Sequence, residues 1–552
     1  MHGIGEQQRS LRRMRRPRAL RSSPREQSQA NSASAGSIQS GRETASPRRG
    51  ATLQAMPPRR IALLWPRGFE PSTTVSLPLA YLKANVDPAR FDVQIIDCAL
   101  DGLDADSPAL ARRLRALQPE LVGVSTWSPM FPEAIALLRL VRSIDPSVPT
   151  VLGGAHPSSY AERCMEHPEV DLLFVGEAER GFAMLLDRIF DADPDLADVP
   201  GLVWRDGDGL VRNAQDLPDD LDAIAPPDLT AIRLSEYVRR GYRWNSPPVP
   251  NAPLWVTRGC PYRCQYCAAP ELNGRPVRTH SIDYMMRWIR RLYDEQGVRW
   301  FNIIDDNFTY HVAFAKDFCR ALIALDLPDV GFGTPNGIRM SRGDAELWRL
   351  MKRAGWRHLI VAPESGSAHT LELMKKDLKL GVVKDTVRDI QAAGLKCQAF
   401  FIVGYPGERP EDIAATFDLI RDCRFNFVFL ANFQPLPGTP VYDELVAKGE
   451  IPDGLLPFNF SDGARVYTPP ELADFNFSAF ILKTHLMMAV THPANLPYHA
   501  RVLFHLYRPG FVVPKLLKTV RSMLRPDAQR PATPFVPMHQ QADALHRGGL
   551  RG

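Results

Sequence analysis

The chain lacks a long apolar run and a large net charge. No stretch of about 18 consecutive apolar residues occurs in its 552 residues, and a membrane-spanning helix would need one. The formal net charge of +5 is small for this length and does not indicate a nucleic-acid binder. With 45% hydrophobic and 23% charged residues, the composition is that of a globular protein, and the length suggests two or three domains.

The first 50 residues lack lysine and aspartate, although they hold 11 arginines against 3 glutamates. Many of the others are serine, glutamine or glycine, a composition that buries too little apolar surface to fold. We interpret residues 1–57 as a disordered basic tail, or as an artefact of start-codon choice, since Met56 lies just before the first predicted strand. An arginine-rich targeting peptide is disfavoured because the segment has no apolar core region.

The chain has no cysteine pattern typical of a disulfide framework. Three of its 8 cysteines fall within eight residues, as Cys260, Cys264 and Cys267. The other five are scattered: Cys98, Cys164, Cys319, Cys397 and Cys423. In a chain of this size, this usage predicts a reduced, cytoplasmic protein with one metal site.

Residues 58–200 alternate short apolar runs with helical patterns near 108–117 and 132–143. The predicted strands are 61–65, 93–97, 121–126, 150–152 and 172–175. This alternation is typical of a parallel, doubly wound α/β sheet, here of the flavodoxin-like (Rossmann-type) class. Residues 201–250 are rich in proline and aspartate, which suggests a linker that runs over the surface.

A second alternating array spans residues 251–450. Its predicted strands are 254–257, 300–304, 330–333, 358–362, 398–403 and 427–431. Apolar residues at helical spacing follow Ile282, and Pro410 is well placed to open a later helix. Six strands with intervening helices predict a partial (β/α)6 barrel of the TIM type, in which chemistry gathers at the carboxyl ends of the strands.

Residues 451–552 read as a helical C-terminal region with a frayed tail. A short basic amphipathic stretch lies at 511–524. Its apolar residues are interspersed with Lys515, Lys518 and Arg521, and Arg525 follows directly after it. Packing on the barrel is the favoured interpretation of this stretch. The alternative is contact with a membrane surface, which would suit an apolar substrate.

The motif Thr-Arg-Gly-Cys-Pro-Tyr-Arg-Cys-Gln-Tyr-Cys, residues 257–267, carries the strongest chemical signal. Its Cys-x3-Cys-x2-Cys spacing lets three thiolates on one loop reach three irons of a cubane cluster. The fourth iron then has no cysteine from the motif and stays open to another ligand. A zinc site is disfavoured because zinc prefers four ligands, often in two Cys-x2-Cys arms, and no second arm is present.

This motif resembles the signature of the radical S-adenosylmethionine (SAM) superfamily, and Tyr266 matches the aromatic residue usual before the third cysteine. The resemblance implies a 4Fe-4S cluster on Cys260, Cys264 and Cys267, with the amino and carboxylate groups of SAM on the fourth iron. It also implies an external one-electron donor such as flavodoxin or ferredoxin. Reductive cleavage of SAM would then yield a 5′-deoxyadenosyl radical that abstracts hydrogen from the substrate.

Polar residues and glycines recur after consecutive predicted barrel strands, and the resemblance implies that they bind SAM. In chain order they are Asp305, Asp306 and Asn307, then Asn336 and Arg339, then Glu364 and Ser365, then Gly404 and Pro406. The acidic first group departs from the Gly-Gly-Glu common in the superfamily, where it holds the methionine amino group. The group at Glu364 follows the strand where the family binds ribose.

The strand ends of residues 58–200 resemble those of the cobalamin-binding domain that precedes the barrel in one large subclass of these enzymes. The carrying residues are Ser125, Gly153, Gly154 and Glu177. Glycines at strand ends let a bulky nucleotide tail approach the backbone closely. No Asp-x-His-x-x-Gly motif occurs, and His156 reads as an ordinary loop histidine, so the resemblance implies cobalamin bound base-off without a histidine ligand.

The combined layout resembles cobalamin-dependent radical SAM methylases, which implies methyl transfer to an unactivated carbon or a phosphinate of a small-molecule substrate. In that scheme one SAM methylates cobalamin and another supplies the radical. Relatives that resemble the anaerobic magnesium-protoporphyrin monomethyl ester cyclase instead imply oxidative ring formation or rearrangement. A non-catalytic cobalamin-binding sensor is a third interpretation. No residue separates the first two.

Overall fold

The structure is a computed structural model that describes residues 57–67, 75–191, 195–240, 246–247, 249–456 and 467–500. The predicted basic tail, apart from its last residue, and the amphipathic stretch at 511–524 lie outside the described residues. Within the described part, no helix has both the length and the apolar composition that crossing a bilayer requires.

The front domain is built on a seven-stranded sheet in the order β2-β1-β3-β4-β5-β6-β7. The first five strands run parallel, as the alternation predicted. The reversal of strand order between β1 and β3 creates a crevice at their carboxyl ends, where flavodoxin-like sheets bind ligands. The strands are β1 Arg59–Trp65, β2 Phe91–Asp97, β3 Leu121–Ser125, β4 Thr150–Gly153, β5 Leu172–Phe174, β6 Leu202–Asp206 and β7 Gly209–Arg212.

Helices cover both faces of this sheet. Ile61 and Leu63 of β1 enter the apolar core on one face, and Ala62 and Leu64 enter the core on the other. Burial on both sides explains why the strand reads as a continuous apolar run. The helices are α1 Leu77–Ala84, α2 Cys98–Asp101, α3 Pro108–Leu117, α4 Phe131–Ile144, α5 Ala155–Ser159, α6 Ala161–Met165 and α7 Glu179–Phe190.

The expectation of a surface linker at 201–250 is wrong for residues 202–212, which form β6 and β7 at the edge of the front sheet. β6 pairs antiparallel with β5, and β7 with β6. The turn between them holds Gly207 at φ +61°, a conformation that glycine adopts readily. Farther along, Leu221, Ile232 and Tyr237 are buried in one core with α1 and the barrel, so this segment joins the two domains.

The barrel consists of six parallel strands in two three-stranded groups, β12-β11-β8 and β13-β14-β15. Isolated parallel bridges, Phe332 to Trp356 and Ile338 to Val361, connect the groups. A short antiparallel pair, β9 with β10, flanks the cysteine motif. The strands are β8 Asn251–Leu254, β9 Thr257–Arg258, β10 Arg278–Thr279, β11 Trp300–Ile303, β12 Gly331–Gly333, β13 His358–Glu364, β14 Lys396–Val403 and β15 Phe427–Asn432.

Local signals place the helices around the barrel. Ser281 caps α10 by accepting from the Tyr284 amide at 3.1 Å, and Gly297 ends it at φ +65°, as N-cap and C-cap rules require. Pro410 opens α15. The helices are α8 Leu234–Arg239, α9 Ala269–Asn273, α10 Ile282–Gln296, α11 Val312–Leu325, α12 Ala345–Ala354, α13 Ala368–Leu373, α14 Leu380–Ala392, α15 Pro410–Cys423, α16 Pro440–Ala447 and, in the C-terminal region, α17 Phe477–Thr491.

Candidate active site

The three cysteines of the motif lie on one loop between β9 and α9. Gly259 opens the loop at φ +98°, and a Cβ there would collide with a backbone carbonyl oxygen, so the turn requires glycine. The Cys260 amide donates to the Gly274 carbonyl at 3.1 Å, and the Cys267 amide donates to the Cys264 carbonyl at 3.3 Å. All three thiols are free and half-buried. The backbone thus holds them on one short, tethered loop.

The three thiols also lie close enough to influence one another. Burial is the main cause that raises the pKa of Cys260 and raises that of Cys267 to about 12, and the neighbouring Cys264 thiol contributes to both shifts in the same direction. Among the described residues, no three Cys, His, Asp or Glu side chains converge tightly enough for a single metal ion. A cubane spreads three thiolates over three irons, so its ligands stand farther apart than those of one zinc ion. Thiolates are the ligands of iron–sulfur clusters and three of them lie on this one loop, so the chemistry of the donor set fits a cubane.

Tyr266 links the cysteine loop to the carboxyl end of β13. Its hydroxyl donates to Glu364 Oε1 at 3.1 Å, and Lys376 Nζ donates to the same oxygen at 2.8 Å. Burial raises the pKa of Tyr266. The side chains of Lys376 and Glu364 are 9% and 10% exposed, and Glu364 has φ +67°, which is rare for a residue other than glycine. Sequence analysis named two members of this trio and missed Lys376.

Arg339 connects the third barrel strand to both neighbouring loops. Its guanidinium carbon lies 3.4 Å from the centroid of the Tyr262 ring on the cysteine loop. Arg339 also donates to the carbonyl oxygen of Lys376 and, at 2.8 Å, to that of the next residue. Asn336 donates from Nδ2 to the Ile304 carbonyl at 2.6 Å, which fastens it to the end of β11. Asn336 and Arg339 therefore both lie at the carboxyl ends of the barrel strands, which we call the rim, and each bonds to a neighbouring segment there.

Asp305 is buried behind the cysteine loop. Its Oδ1 accepts from the Val256 amide and its Oδ2 from the Thr257 amide, each at 2.8 Å. Burial raises the pKa of Asp305 to about 8, and the two amide donors oppose that shift. The predicted strand 254–257 is divided into β8, which ends at Leu254, and β9, which begins at Thr257. Both carboxylate oxygens of Asp305 hold backbone amides, and its contact with SAM stays a prediction.

The two residues after Asp305 have different surroundings. Asp306 Oδ2 accepts from the Asn273 side-chain amide at the end of α9 at 2.7 Å, and burial raises its pKa. Asn307 is 2% exposed, and its Oδ1 has no hydrogen-bond donor within the described part of the chain. An unpaired buried acceptor costs about 1–3 kcal/mol. Asn307 is therefore the member of this trio best suited to accept from a ligand amine.

Ser365 faces α15. Its hydroxyl lies 3.2 Å from the Thr416 hydroxyl and accepts from the Ser367 amide at 3.1 Å. At Gly366 an added Cβ would stand 2.5 Å from the Thr416 Cα. The segment thus lets the helix approach β13 closely, and the Ser365 hydroxyl is engaged there, so its contact with ribose stays a prediction.

The turn after β14 contains Gly404 and the half-buried Pro406. Gly404 has φ +81°, and an added Cβ would come within 2.9 Å of the Phe477 ring. Glu408 closes the turn, because its Oε2 accepts from the Gly404 amide and from the Tyr405 amide at 3.3 Å. Burial raises the pKa of Glu408 to about 7. Sequence analysis missed Glu408, although it lies two residues beyond Pro406.

The carboxyl edge of the front sheet brings three predicted residues together. The Thr126 amide donates to the Gly153 carbonyl at 2.8 Å. Gly154 has φ +105°, and a Cβ there would collide with the Thr126 backbone and lie 3.0 Å from Ser125 Oγ. His156 is 1% exposed, and burial lowers its pKa to about 3, so it is neutral and enclosed. The edge is thus made of small residues and backbone.

Glu177 lies in the interface with the barrel. Its carboxylate pairs with Arg258 at 3.2 Å and with Arg278, while Glu179 pairs with Arg258 at 2.8 Å. We call these four residues the interdomain charge cluster. Their side chains are 2% to 8% exposed. These ion pairs engage the Glu177 carboxylate, and its contact with cobalamin stays a prediction.

The cysteine loop touches the front domain on its other side as well. Helix α9, which begins two residues after Cys267, packs against α5, which begins directly after Gly154. The Gln215 side-chain amide donates to the Glu271 carbonyl at 3.4 Å. Both flanks of the cysteine loop therefore contact elements that extend from the carboxyl edge of the front sheet.

Comparison with known proteins supports both halves of this site. Residues 255–420 match the radical SAM superfamily, and residues 71–186 match the B12-binding domain. A radical SAM domain thus follows a B12-binding domain in this chain. Together they support a cobalamin-dependent radical SAM enzyme with a 4Fe-4S cluster, SAM and cobalamin as cofactors.

Individual relatives match across about two thirds of the chain. The chain is 27% identical to the cytidylyl-2-hydroxyethylphosphonate methyltransferase of Streptomyces wedmorensis over 69% of this chain and 79% of the relative. It is 28% identical to the anaerobic magnesium-protoporphyrin IX monomethyl ester cyclase of Cereibacter sphaeroides over 68% of this chain and 61% of the relative. The fold matches that of the radical SAM methyltransferase TsrM from Kitasatospora setae, with a TM-score of 0.60 and 20% identity over 71% of this chain and 76% of that one.

Proposed function

We propose that this enzyme transfers a methyl group from SAM to an unactivated carbon or a phosphinate of a small molecule, with cobalamin as the methyl carrier. The observation that carries the proposal is the contact of both flanks of the cysteine loop with the carboxyl edge of the front domain. The methyltransferase from Streptomyces supports the same reaction class. Bound cluster, SAM and cobalamin would supply radical initiation and a transferable methyl group.

The chain's own residues would have distinct tasks in this reaction. We propose that Cys260, Cys264 and Cys267 hold the cluster and that Asn307 accepts a hydrogen bond from the SAM amino group. Glu364, held by Lys376 at 2.8 Å, presents a fixed carboxylate at the strand end where ribose is expected. Buried groups with fixed partners need little rearrangement when a ligand arrives.

The front edge would contribute shape. Ser125, Gly153 and Gly154 leave room for a nucleotide tail against the backbone, since glycine carries no Cβ. His156 is enclosed and neutral, which supports cobalamin bound without a histidine ligand. The contact between α5 and α9 keeps this edge beside the cysteine loop.

Oxidative ring formation or rearrangement is the second candidate, favoured by the cyclase from Cereibacter sphaeroides. A test uses anaerobically reconstituted protein, SAM labelled in its methyl group, and a small-molecule extract of the source organism. Labelled methyl in a product together with 5′-deoxyadenosine supports methylation. Deoxyadenosine with an unlabelled, altered product supports the cyclase reaction. A biological activity unchanged in Cys264→Ala would instead indicate a sensor.

We further propose a reducing, cytoplasmic setting with flavodoxin or ferredoxin as electron donor. All eight cysteines are free thiols, and a low-potential cluster requires a one-electron reductant. Contact of residues 511–524 with a membrane surface is proposed only for an apolar substrate, on the basis of their basic amphipathic pattern. Cosedimentation with anionic vesicles, compared for the full chain and a Lys515→Glu, Lys518→Glu variant, tests that contact.

A further inference from the structure

The interdomain charge cluster joins two carboxylates of the front domain to two guanidinium groups of the barrel. Glu179 is the first residue of α7 and Glu177 lies two residues before it, while Arg258 and Arg278 lie on β9 and β10. Their side chains are 5%, 8%, 2% and 4% exposed. An isolated buried ion costs several kcal/mol, so these four charges are tolerated only because they neutralise one another across the interface.

Arg258 and Arg278 stand directly opposite each other in the antiparallel pair of β9 and β10. Like charges at opposed positions destabilise such a pair. Glu177 removes this repulsion because its carboxylate binds both guanidinium groups. Glu177, a residue of the front domain, therefore holds together β9 and β10, the two barrel strands that flank the cysteine loop.

The side chain of Arg258 has little freedom to move. Its guanidinium carbon lies 5.2 Å from the Tyr81 ring centroid and 4.9 Å from that of Trp255, at distances typical of cation–π contacts. Tyr81 belongs to α1 of the front domain. Arg258 is also two residues before Cys260. Because Arg258 is held in place, the start of the cysteine loop is held in place as well.

We propose that the interdomain charge cluster consists of positioning residues that set the distance between the cysteine loop and the cobalamin-binding edge of the front domain. The apolar core shared by the domains holds them together but does not fix their relative position. The paired buried charges fix that position, because only one arrangement of the two domains brings every charge to its partner. This inference rests on the proposed function in one respect, namely that both the iron–sulfur cluster and cobalamin bind.

The experiment measures that distance directly in the full-length protein. Protein reconstituted with iron, sulfide and cobalamin is reduced with dithionite, so that the iron–sulfur cluster and cob(II)alamin are both paramagnetic. Pulsed dipolar EPR then gives the distribution of distances between them. We expect a narrow distribution in the wild type and a broadened or shifted one in Glu177→Gln, which leaves two arginines facing each other. Asp216→Asn is the matched control, since Asp216 pairs with Arg180 in the same region but is 37% exposed.

Each outcome decides a separate point. A Glu177→Gln protein that binds both cofactors and keeps the wild-type distribution overturns the inference, even where its melting temperature falls. A wild type that takes up no cobalamin overturns the proposed function and the inference together. Where Glu177→Gln does not fold, Glu179→Gln provides the same test, because it removes one contact of Arg258 and leaves Glu177 on both arginines. We expect a smaller shift there, and an unchanged distribution overturns the inference.

Discussion

The carboxyl edge of the front sheet is formed by small residues and backbone, whereas the rim of the barrel is formed by charged and polar side chains. At the front edge, Gly154 at φ +105° lets the Thr126 backbone approach closely, and the predicted residues Ser125, Gly153 and Gly154 carry no charge. At the rim, charged and polar side chains are bonded to one another, as Lys376, Glu364 and Tyr266 show. One end is defined by the absence of side chains and the other by their pairing.

This difference suits the ligands that we propose for the two ends, cobalamin at the front edge and SAM at the rim. Cobalamin is large, and its nucleotide tail needs close access to backbone, which glycine allows. SAM is small and carries several charges, so groups with fixed charges and few rotamers orient it at low cost. Cobalamin binding at the front edge should therefore be weakened by an added methyl group. Cluster and SAM binding at the rim should be weakened by the loss of a charge or a thiolate.

The largest effect is expected for Cys264→Ala at the rim. Removing one of three thiolates should abolish cluster binding and SAM cleavage while cobalamin binding remains, since the front edge contains no cysteine ligand. Iron and sulfide content, 5′-deoxyadenosine formation and the cobalamin absorption spectrum measure this. Cys423→Ala, at the end of α15, is the control and should keep the cluster. Deoxyadenosine formation by Cys264→Ala would contradict the assignment.

Lys376→Met should cost about 3–5 kcal/mol of unfolding free energy, because it leaves the buried carboxylate of Glu364 without its cation. It should also weaken SAM binding, measured by equilibrium dialysis. Lys384→Met is the matched control: Lys384 pairs with Asp422 at 3.2 Å but is 54% exposed, so about 0.5 kcal/mol is expected. Equal losses of unfolding free energy in both variants would show that burial does not increase the contribution of the Lys376–Glu364 pair to stability.

Glu408 should make the protein less stable as pH rises. Burial raises its pKa from 4.5 to about 7. Between these values the folded state retains a proton that the unfolded state has released, so the free energy of unfolding falls with rising pH. The loss is on the order of 3 kcal/mol from about pH 4.5 to pH 7.

The check compares the pH dependence of urea unfolding for the wild type and Glu408→Gln. Glutamine keeps an oxygen that can accept from the Gly404 and Tyr405 amides but cannot titrate, so the slope should become shallower. Glu411→Gln is the control, because Glu411 is 66% exposed. Identical slopes in wild type and Glu408→Gln would refute the role of Glu408 in this pH dependence.

The smallest change in stability is expected for Gly154→Ala, about 1–3 kcal/mol from its left-handed backbone. The added methyl group should nevertheless displace the Thr126 backbone and lower cobalamin uptake, read from the absorption spectrum. Gly207→Ala is the control, since Gly207 also has a positive φ, at +61°, but lies in the turn between β6 and β7, where an added Cβ would meet nothing within 4 Å. If Gly154→Ala binds cobalamin as well as Gly207→Ala does, the front edge is not the cobalamin-binding surface.

Most strand positions could be predicted because their signals are local. Apolar runs broken by Gly, Pro and helical patterns correctly predicted the parallel strands of both domains, and the Cys-x3-Cys-x2-Cys spacing placed three thiols on one loop. The carboxyl-end rule then placed Asn307, Arg339 and Glu364 at the rim. Each of these predictions depends on residues within a few positions of one another.

The partners of individual side chains could not be predicted in this way. Lys376 meets Tyr266 across 110 positions, and Arg278 meets Glu177 across 101. Glu177 and Asp305 both follow strands, as ligand-binding residues do, yet their oxygens are taken by barrel arginines and by backbone amides. Nothing in the neighbouring sequence distinguishes a strand-end carboxylate that faces a ligand from one that faces another segment.

By itself, therefore, the sequence determined the order of the domains, the strands of each sheet and the loop that carries the cysteines, because hydrophobic periodicity and cysteine spacing act over short range. Only the tertiary structure decided which strand-end residues remain open and which are consumed in holding the domains together. That choice depends on burial, since a charge removed from water must find its partner wherever the fold provides one.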